Sequence, residues 1–211
     1  VLSREKCIMV PAAKGKGHEE TKKLFQGMEW RPTGNFKLLG AFFGGETECN
    51  QHLKKRCEKA NQIIQQLAKM DDTQTALLLL RHCAGFCKIA YSCRTVPPHL
   101  QKEALADYSG QIREGLKEIL QTEVDERGWA QAQLGIIDGG LGLRDPMKHA
   151  PAAYVASIMG TEDKCKEMDQ GYEAKGASAG GRVWQEQKKK SFQRQPWRGR
   201  REKGAKNTCP D

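Results

Sequence analysis

The chain has 211 residues, with 35 Lys and Arg against 26 Asp and Glu, so its formal net charge is +9. This length suits one domain and a tail, and the apolar runs are too short and too charged to cross a bilayer. The basic excess favours a polyanionic partner, with nucleic acid ahead of a membrane surface. Residues 161–211 alone carry 13 basic and 8 acidic residues. A solvated tail without any partner explains that charge equally well.

The eight cysteines do not follow a recognisable ligand pattern. There is no Cys-x-x-Cys pair, which disfavours both a zinc site and a disulfide scaffold. Cys83, Cys87 and Cys93 fall in an apolar stretch, where a free thiol packs as a small hydrophobe. We therefore expect a reduced, intracellular protein without a metal site, and the sequence does not distinguish nucleus from cytoplasm.

Two short apolar runs open the chain. Residues 6–11 end at Pro11, and residues 36–43 are closed by Gly44 and Gly45. Both runs have the length and the boundaries of β-strands. The sequence therefore predicts a small β hairpin within residues 1–45.

A long amphipathic helix is predicted over residues 46–70. Its apolar side chains recur every three or four positions, the period of one helix face: Cys49, Leu53, Cys57, Ala60, Ile63 or Ile64, and Leu67. Four basic residues crowd the first half of this helix: Lys54, Lys55, Arg56 and Lys59. They could follow a phosphate backbone or form an ordinary solvated face, and both interpretations stay open.

Residues 76–93 are apolar on nearly every side and predict a buried central helix. Asp71 and Asp72 precede this stretch. A catalytic magnesium site needs its carboxylates held rigidly with a third one nearby, whereas here the two aspartates separate two helical patterns. The sequence therefore predicts an N-cap at this point. Pro97 and Pro98 end the stretch.

Further helices are predicted over residues 99–122, 126–134 and 146–159, with a glycine-rich loop at 139–144. Beyond residue 160 the apolar pattern decays, and too little surface can be buried to offset the entropy of ordering. The predicted fold class is mainly α. It comprises a helical bundle over residues 46–160, a small N-terminal β hairpin and a disordered basic tail over 161–211.

Five short motifs follow one another along the chain: LSREKC at 2–7, FKLLGA at 36–41, WAQA at 129–132, GGLGLR at 139–144 and AAYVAS at 152–157. Their order and spacing resemble the region downstream of the catalytic centre in non-LTR retrotransposon reverse transcriptases. The first resembles the segment after the catalytic Tyr-x-Asp-Asp hairpin, and the second resembles the primer-grip strand. The likeness covers residues 1–172.

The resemblance implies a palm remnant over residues 1–45 and a thumb-like domain over 46–160. It implies an RNA or DNA template–primer as the partner and no membrane. Lys6 matches the family lysine near the phosphates of the incoming nucleotide. The implied contacts to nucleic acid are Lys6, Lys37, Leu39, Gly40, Lys54, Lys55 and Arg81.

Full-length members of that family are RNA-directed DNA polymerases that use magnesium bound by the hairpin aspartates. The chain given begins after the matching position, so we expect no cofactor and no catalysis from it alone. In a longer reading frame its partner would be the remainder of the polymerase. The expected function is non-specific template–primer binding by a truncated reverse-transcriptase-like segment of a retroelement.

Two other functions compete with this expectation. In the first, the chain is a helical protein-interaction module without a nucleic-acid role, and residues 77–80 stay partly exposed to recruit a partner helix. In the second, Asp71 and Asp72 serve a metal-dependent nuclease or polymerase, for which we expect no magnesium-dependent turnover.

Overall fold

The computed structural model describes residues 7–10, 22–31 and 34–172. These residues are mainly helical, with a small antiparallel hairpin near the N-terminus, which confirms the predicted fold class. The predicted disorder from residue 173 onward lies outside the described residues. No helix in the described part has the length and apolar character that a membrane span requires.

The strands form two separate pairs. Their bounds are β1 (Ile8–Met9), β2 (Glu29–Trp30), β3 (Phe36–Leu38) and β4 (Ala41–Phe43). β1 pairs with β2 in parallel, and β3 pairs with β4 antiparallel, with Phe36 opposite Phe43.

The run over residues 36–43, predicted as one strand, is a hairpin. Leu39 and Gly40 both adopt positive φ, of 49° and 85°, and reverse the chain between β3 and β4. Two central residues with positive φ form the turn that matches the twist of the flanking strands. The hydroxyl of Tyr91 donates to the carbonyl of Leu39 over 2.7 Å, which fixes this turn against the helices.

Six α-helices follow in the described part: α1 (Glu46–Leu67), α2 (Thr73–Leu79), α3 (Ala90–Thr95), α4 (Lys102–Leu120), α5 (Glu126–Ala132) and α6 (Pro146–Met168). Short 3₁₀ turns occur at Phe86–Lys88, Pro98–Gln101 and Ile136–Asp138. The predicted helices over 46–70, 99–122 and 126–134 are confirmed within a few residues. The last helix runs to Met168, so its predicted end at Met159 is wrong, and residues 161–168 are helical.

The stretch 76–93 is not the single helix that its composition predicts. After α2 the chain makes a π-helical turn at Leu80–Ala84, and Gly85 then leaves the helical conformation. The N–H of Gly85 donates to the carbonyl of Leu80 over 2.7 Å, which adds one residue to the turn. A Cβ at position 85 would lie 2.8 Å from that carbonyl oxygen, so glycine permits the break.

Burial along this stretch also differs from the prediction. Leu80 is fully buried, but Leu78 is 44% exposed, so the stretch has a solvent side. Cys83 and Cys87 are exposed, which corrects the expectation that they pack as small hydrophobes. Cys93 is buried as expected.

Asp72 caps α2, which begins at Thr73, and the predicted N-cap is confirmed. Its carboxylate accepts hydrogen bonds from the backbone N–H groups of Gln74 and Thr75 over 3.0 and 3.2 Å. The hydroxyl of Thr75 donates to the same carboxylate, and these hydrogen bonds lower the pKa of Asp72. Within the described residues no group of three His, Cys, Asp or Glu is placed to hold a metal ion. The carboxylate of Asp72 is engaged in capping α2.

The core is centred on the contact between α1 and α4. The buried side chains that these helices contribute are Leu53, Cys57, Ala60, Ile64, Leu105, Tyr108, Ile112 and Leu116. Gly115 allows the closest approach, because a Cβ there would lie 2.1 Å from Cγ2 of Ile64. Asn50 accepts a hydrogen bond from the N–H of Ala104 over 3.0 Å and so satisfies the start of α4. One side of α1 therefore packs against α4 in the core.

Candidate nucleic-acid interface

A neighbouring side of α1 forms one wall of a surface groove of about 570 Å³. The β3–β4 hairpin and the 3₁₀ turn at Phe86–Lys88 supply the other walls. We call this the basic groove, and its lining residues are Lys37, Gly40, His52, Lys55, Arg56, Lys59, Ala60, Ile63 and Lys88.

Helical spacing brings the α1 residues of the groove to one side of the helix. His52, Arg56, Lys59 and Ile63 are three or four positions apart and so lie in one row. The next residue, Ile64, is 1% exposed and faces the core, whereas Ile63 is 37% exposed. The choice between these two isoleucines, which the sequence leaves open, is thereby resolved.

The described lining of the basic groove concentrates positive charge. Five of these lining residues are Lys or Arg, and none of them is Asp or Glu. None of these five cations forms an ion pair with another residue of the described part. A concave surface of one sign raises the local concentration of oppositely charged ligands. The arrangement suits a polyanion.

Hydrogen bonds fix the walls of the basic groove to one another. The guanidinium of Arg56 donates to the hydroxyl of Ser92 over 3.2 Å and to the carbonyl of Gly40 over 3.5 Å. It thereby links α1 to the hairpin turn and to α3. A site whose walls are held in this way loses less entropy when a ligand binds.

His52 lies among these cations. Its ring stacks on Phe42 with the ring centroids 5.1 Å apart, and its Nε2 is buried without a hydrogen-bond partner among the described residues. Burial lowers the pKa of His52, and the charges of Arg56, Lys37 and Lys55 lower it further. Both effects favour the neutral form of the ring in the free protein.

Three of the predicted nucleic-acid contacts meet in this groove: Lys37, Gly40 and Lys55. Leu39 lies beside them at the tip of the hairpin and is 89% exposed. Lys6 lies outside the described residues.

Lys54 and Arg81 lie elsewhere. Nζ of Lys54 is 2.7 Å from a carboxylate oxygen of Glu103 and 3.3 Å from one of Asp107, and the hydrogen bond to Glu103 is the main cause of its raised pKa. Arg81 donates to Nε2 of His82 over 2.9 Å, and its side chain lies against Gly142. Neither residue lines the basic groove.

Two charged or titratable residues of the groove, Lys88 and His52, were missed by the interpretation of the sequence. Lys88 falls inside a stretch that predicts a buried helix, so nothing in the pattern marks it as a surface cation. His52 carries a usable signal, because it precedes Arg56 by one helical turn and therefore lies on the same side of α1.

Comparisons with models of protein families, with curated proteins and with solved structures found no match for this chain. The resemblance to reverse transcriptases therefore rests on the sequence motifs alone and stays a prediction. The geometry and charge of the basic groove are the observations from which a function can be inferred.

Proposed function

We propose that this chain binds the phosphate backbone of RNA or DNA, without reading its sequence, through the basic groove. The observation that carries the proposal is a concave surface whose described lining has five cations and no acidic residue. Phosphate contacts of this kind give affinity and orientation but no base discrimination. The net charge of +9 acts in the same direction by attracting polyanions from a distance.

The motif resemblance supports a template–primer as the kind of nucleic acid. In that interpretation the wall built by the hairpin, with Lys37, Leu39 and Gly40, lies beside the primer strand. Lys55 and Arg56 contact backbone phosphates from the helix side. The proposed function is binding, and these side chains imply no reaction.

Salt titration of affinity tests the proposal. The measurement is fluorescence anisotropy with a labelled primer–template duplex over a range of salt concentrations. Each phosphate neutralised contributes about −0.9 to the slope of log K against log salt for duplex DNA. Because the basic sequence from residue 161 onward adds its own charges, the informative comparison is between variants.

Lys54 and Lys55 provide a matched pair. Lys55→Gln should reduce the magnitude of the salt slope by about 0.9 and weaken binding by roughly three- to tenfold. Lys54→Gln removes the same charge from a side chain that already pairs with Glu103 and Asp107, so affinity and slope should stay near the parent values. Absence of binding at low salt, or equal effects of the two variants, would contradict the proposal.

A protein-interaction function is the second proposal, and the surface that favours it is not the one predicted over residues 77–80. Of residues 77–80, Leu78 is exposed, Leu77 and Leu79 are half-buried against the core, and Leu80 is fully buried, so part of the predicted recruiting face is accessible. A different loop exposes apolar side chains: Ile136 is 60% exposed and Ile137 is fully exposed. Sedimentation of the parent and of Ile137→Ser tests self-association through this loop. A concentration-dependent dimer that Ile137→Ser abolishes would favour this second function.

A further inference from the structure

His52 differs from the lysines and the arginine of the basic groove in the pH range over which its charge changes. Lysine and arginine keep their charge across the physiological range, whereas a histidine ring changes its charge near neutral pH. The described lining therefore contains five permanent cations and a single titratable ring.

Burial of the ring is the first cause that opposes protonation of His52 in the free protein, and the surrounding cations add to it. Lys55 and Arg56 flank it on its own helix, Lys37 faces it from the hairpin, and Lys59 and Lys88 complete the positive lining. No carboxylate of the described groove offsets them. The buried Nε2 has no acceptor among the described residues, so a proton added there gains no hydrogen bond within the protein.

A bound nucleic-acid backbone changes this balance. Each phosphodiester brings one negative charge into the groove, and it partly cancels the field of the cations around the ring. The barrier to protonation that the cations create is then reduced, while the stack on Phe42 keeps the ring in the groove wall.

We propose that His52 takes up a proton from solvent when a phosphodiester backbone enters the basic groove, so that the bound groove carries one more positive charge than the free groove. This inference rests on the proposed function, since it requires a backbone in the groove. By linkage, a complex that binds an extra proton becomes more stable as the pH falls. His52 is then the residue through which pH controls affinity.

The test uses an oligothymidylate of about 20 nucleotides, because thymine does not titrate between about pH 5.5 and pH 8 and a site of this kind covers several nucleotides. In the parent, affinity should rise about three- to tenfold from pH 8 to pH 5.5, beyond the rise in His52→Gln. The salt slope of the parent should also steepen by about 0.7 at the lower pH, the contribution of one cation on a single strand.

His99→Gln is the matched control. His99 is exposed and does not line the groove, so this variant should keep the full pH dependence of the parent. The same result in His52→Gln would overturn the inference. If the parent does not bind at low salt, the proposed function fails and the inference fails with it. If the parent binds with a salt slope that is the same at both pH values, only the inference fails.

Calorimetry of the parent gives an independent measurement that needs no variant. Titration near neutral pH in two buffers of different ionisation enthalpy reports the number of protons taken up on binding. We expect a positive fraction of one proton in the parent and less in His52→Gln. Zero uptake in the parent between about pH 5.5 and pH 7 would overturn the inference.

Discussion

The two sides of α1 carry similar residue types and differ in what faces them. Lys54 and Lys55 are neighbours in sequence, yet Lys54 lies between Glu103 and Asp107 of α4, whereas Lys55 lies in the basic groove. One step along a helix turns a side chain by about 100°. A run of lysines therefore does not locate a binding surface by itself, because the facing element decides which charges are neutralised.

The two sides of α1 differ in how their charges are balanced. The packed side buries apolar side chains and pairs its lysine. The groove side gathers like charges, which repel one another and lower the stability of a compact state. Under the proposed function, a bound polyanion supplies the negative charge that the described lining of the groove lacks.

The largest expected difference is between the reaction rates of a buried thiol on α1 and an exposed thiol. Cys57 on the packed side of α1 is 2% exposed, and burial raises its pKa to about 12, whereas Cys83 is exposed. In the folded protein at about pH 8 we expect Cys57 to react with an aromatic disulfide roughly a thousandfold more slowly than Cys83. Mass spectrometry of timed reactions measures both rates. Rapid modification of Cys57 without denaturant would show that the packed side opens easily.

Glycine replacements on α4 test how closely the packed side approaches its neighbour. Gly115→Ala would place a Cβ 2.1 Å from Cγ2 of Ile64, so it should lower the free energy of unfolding by about 1–3 kcal/mol. Gly110 on the same helix has nothing within 4 Å of the corresponding position, so Gly110→Ala should raise the free energy of unfolding by about 0.5–1 kcal/mol. Urea titrations measure both values. Two stabilising substitutions would contradict the close contact between α1 and α4.

These two glycines also show what the sequence could predict. Helical periodicity placed Cys49, Leu53, Cys57 and Leu67 on the buried side of α1 correctly, since that pattern is local. Nothing local separates Gly110 from Gly115, because the difference depends on which of them meets a residue far away in sequence.

The residues of the candidate site also fall into those that the sequence predicted and those that only the tertiary fold reveals. Lys55 and Lys37 were predicted from charge and motif position, and both line the groove. Lys54 looks identical to Lys55 in sequence, but only the tertiary fold supplies its acidic partners. Lys88 reaches the groove because the predicted central helix is broken at Gly85, which composition alone did not reveal.

The melting temperature should change in opposite directions in the variants Lys54→Gln and Lys55→Gln. Lys54→Gln loses the ion pairs with α4 and should melt slightly below the parent, and this difference should shrink in high salt. Lys55→Gln relieves repulsion in the groove and should melt at or slightly above the parent temperature. A lower melting temperature for Lys55→Gln would indicate that its charge serves the fold.

The smallest expected effect is the acid sensitivity of the groove side without ligand. His52 has a lowered pKa in the folded protein, so below its ordinary pKa of 6.5 the unfolded state binds the proton more readily. Stability is therefore lost as the pH falls below about 6.5. Melting at pH 7 and at pH 5 should show a smaller loss for His52→Gln than for the parent. An equal loss in the two proteins would assign the acid sensitivity to other groups.

The π-helical turn before Gly85 determines how α3 is rotated about its axis relative to α2. One residue more or fewer between Leu80 and Gly85 would rotate α3 by about 100° relative to α2. Tyr91 and Ser92, which hold the hairpin turn and Arg56, would then point away from them. A deletion of a single residue at this turn would therefore shift one whole wall of the basic groove while leaving every groove residue in the sequence.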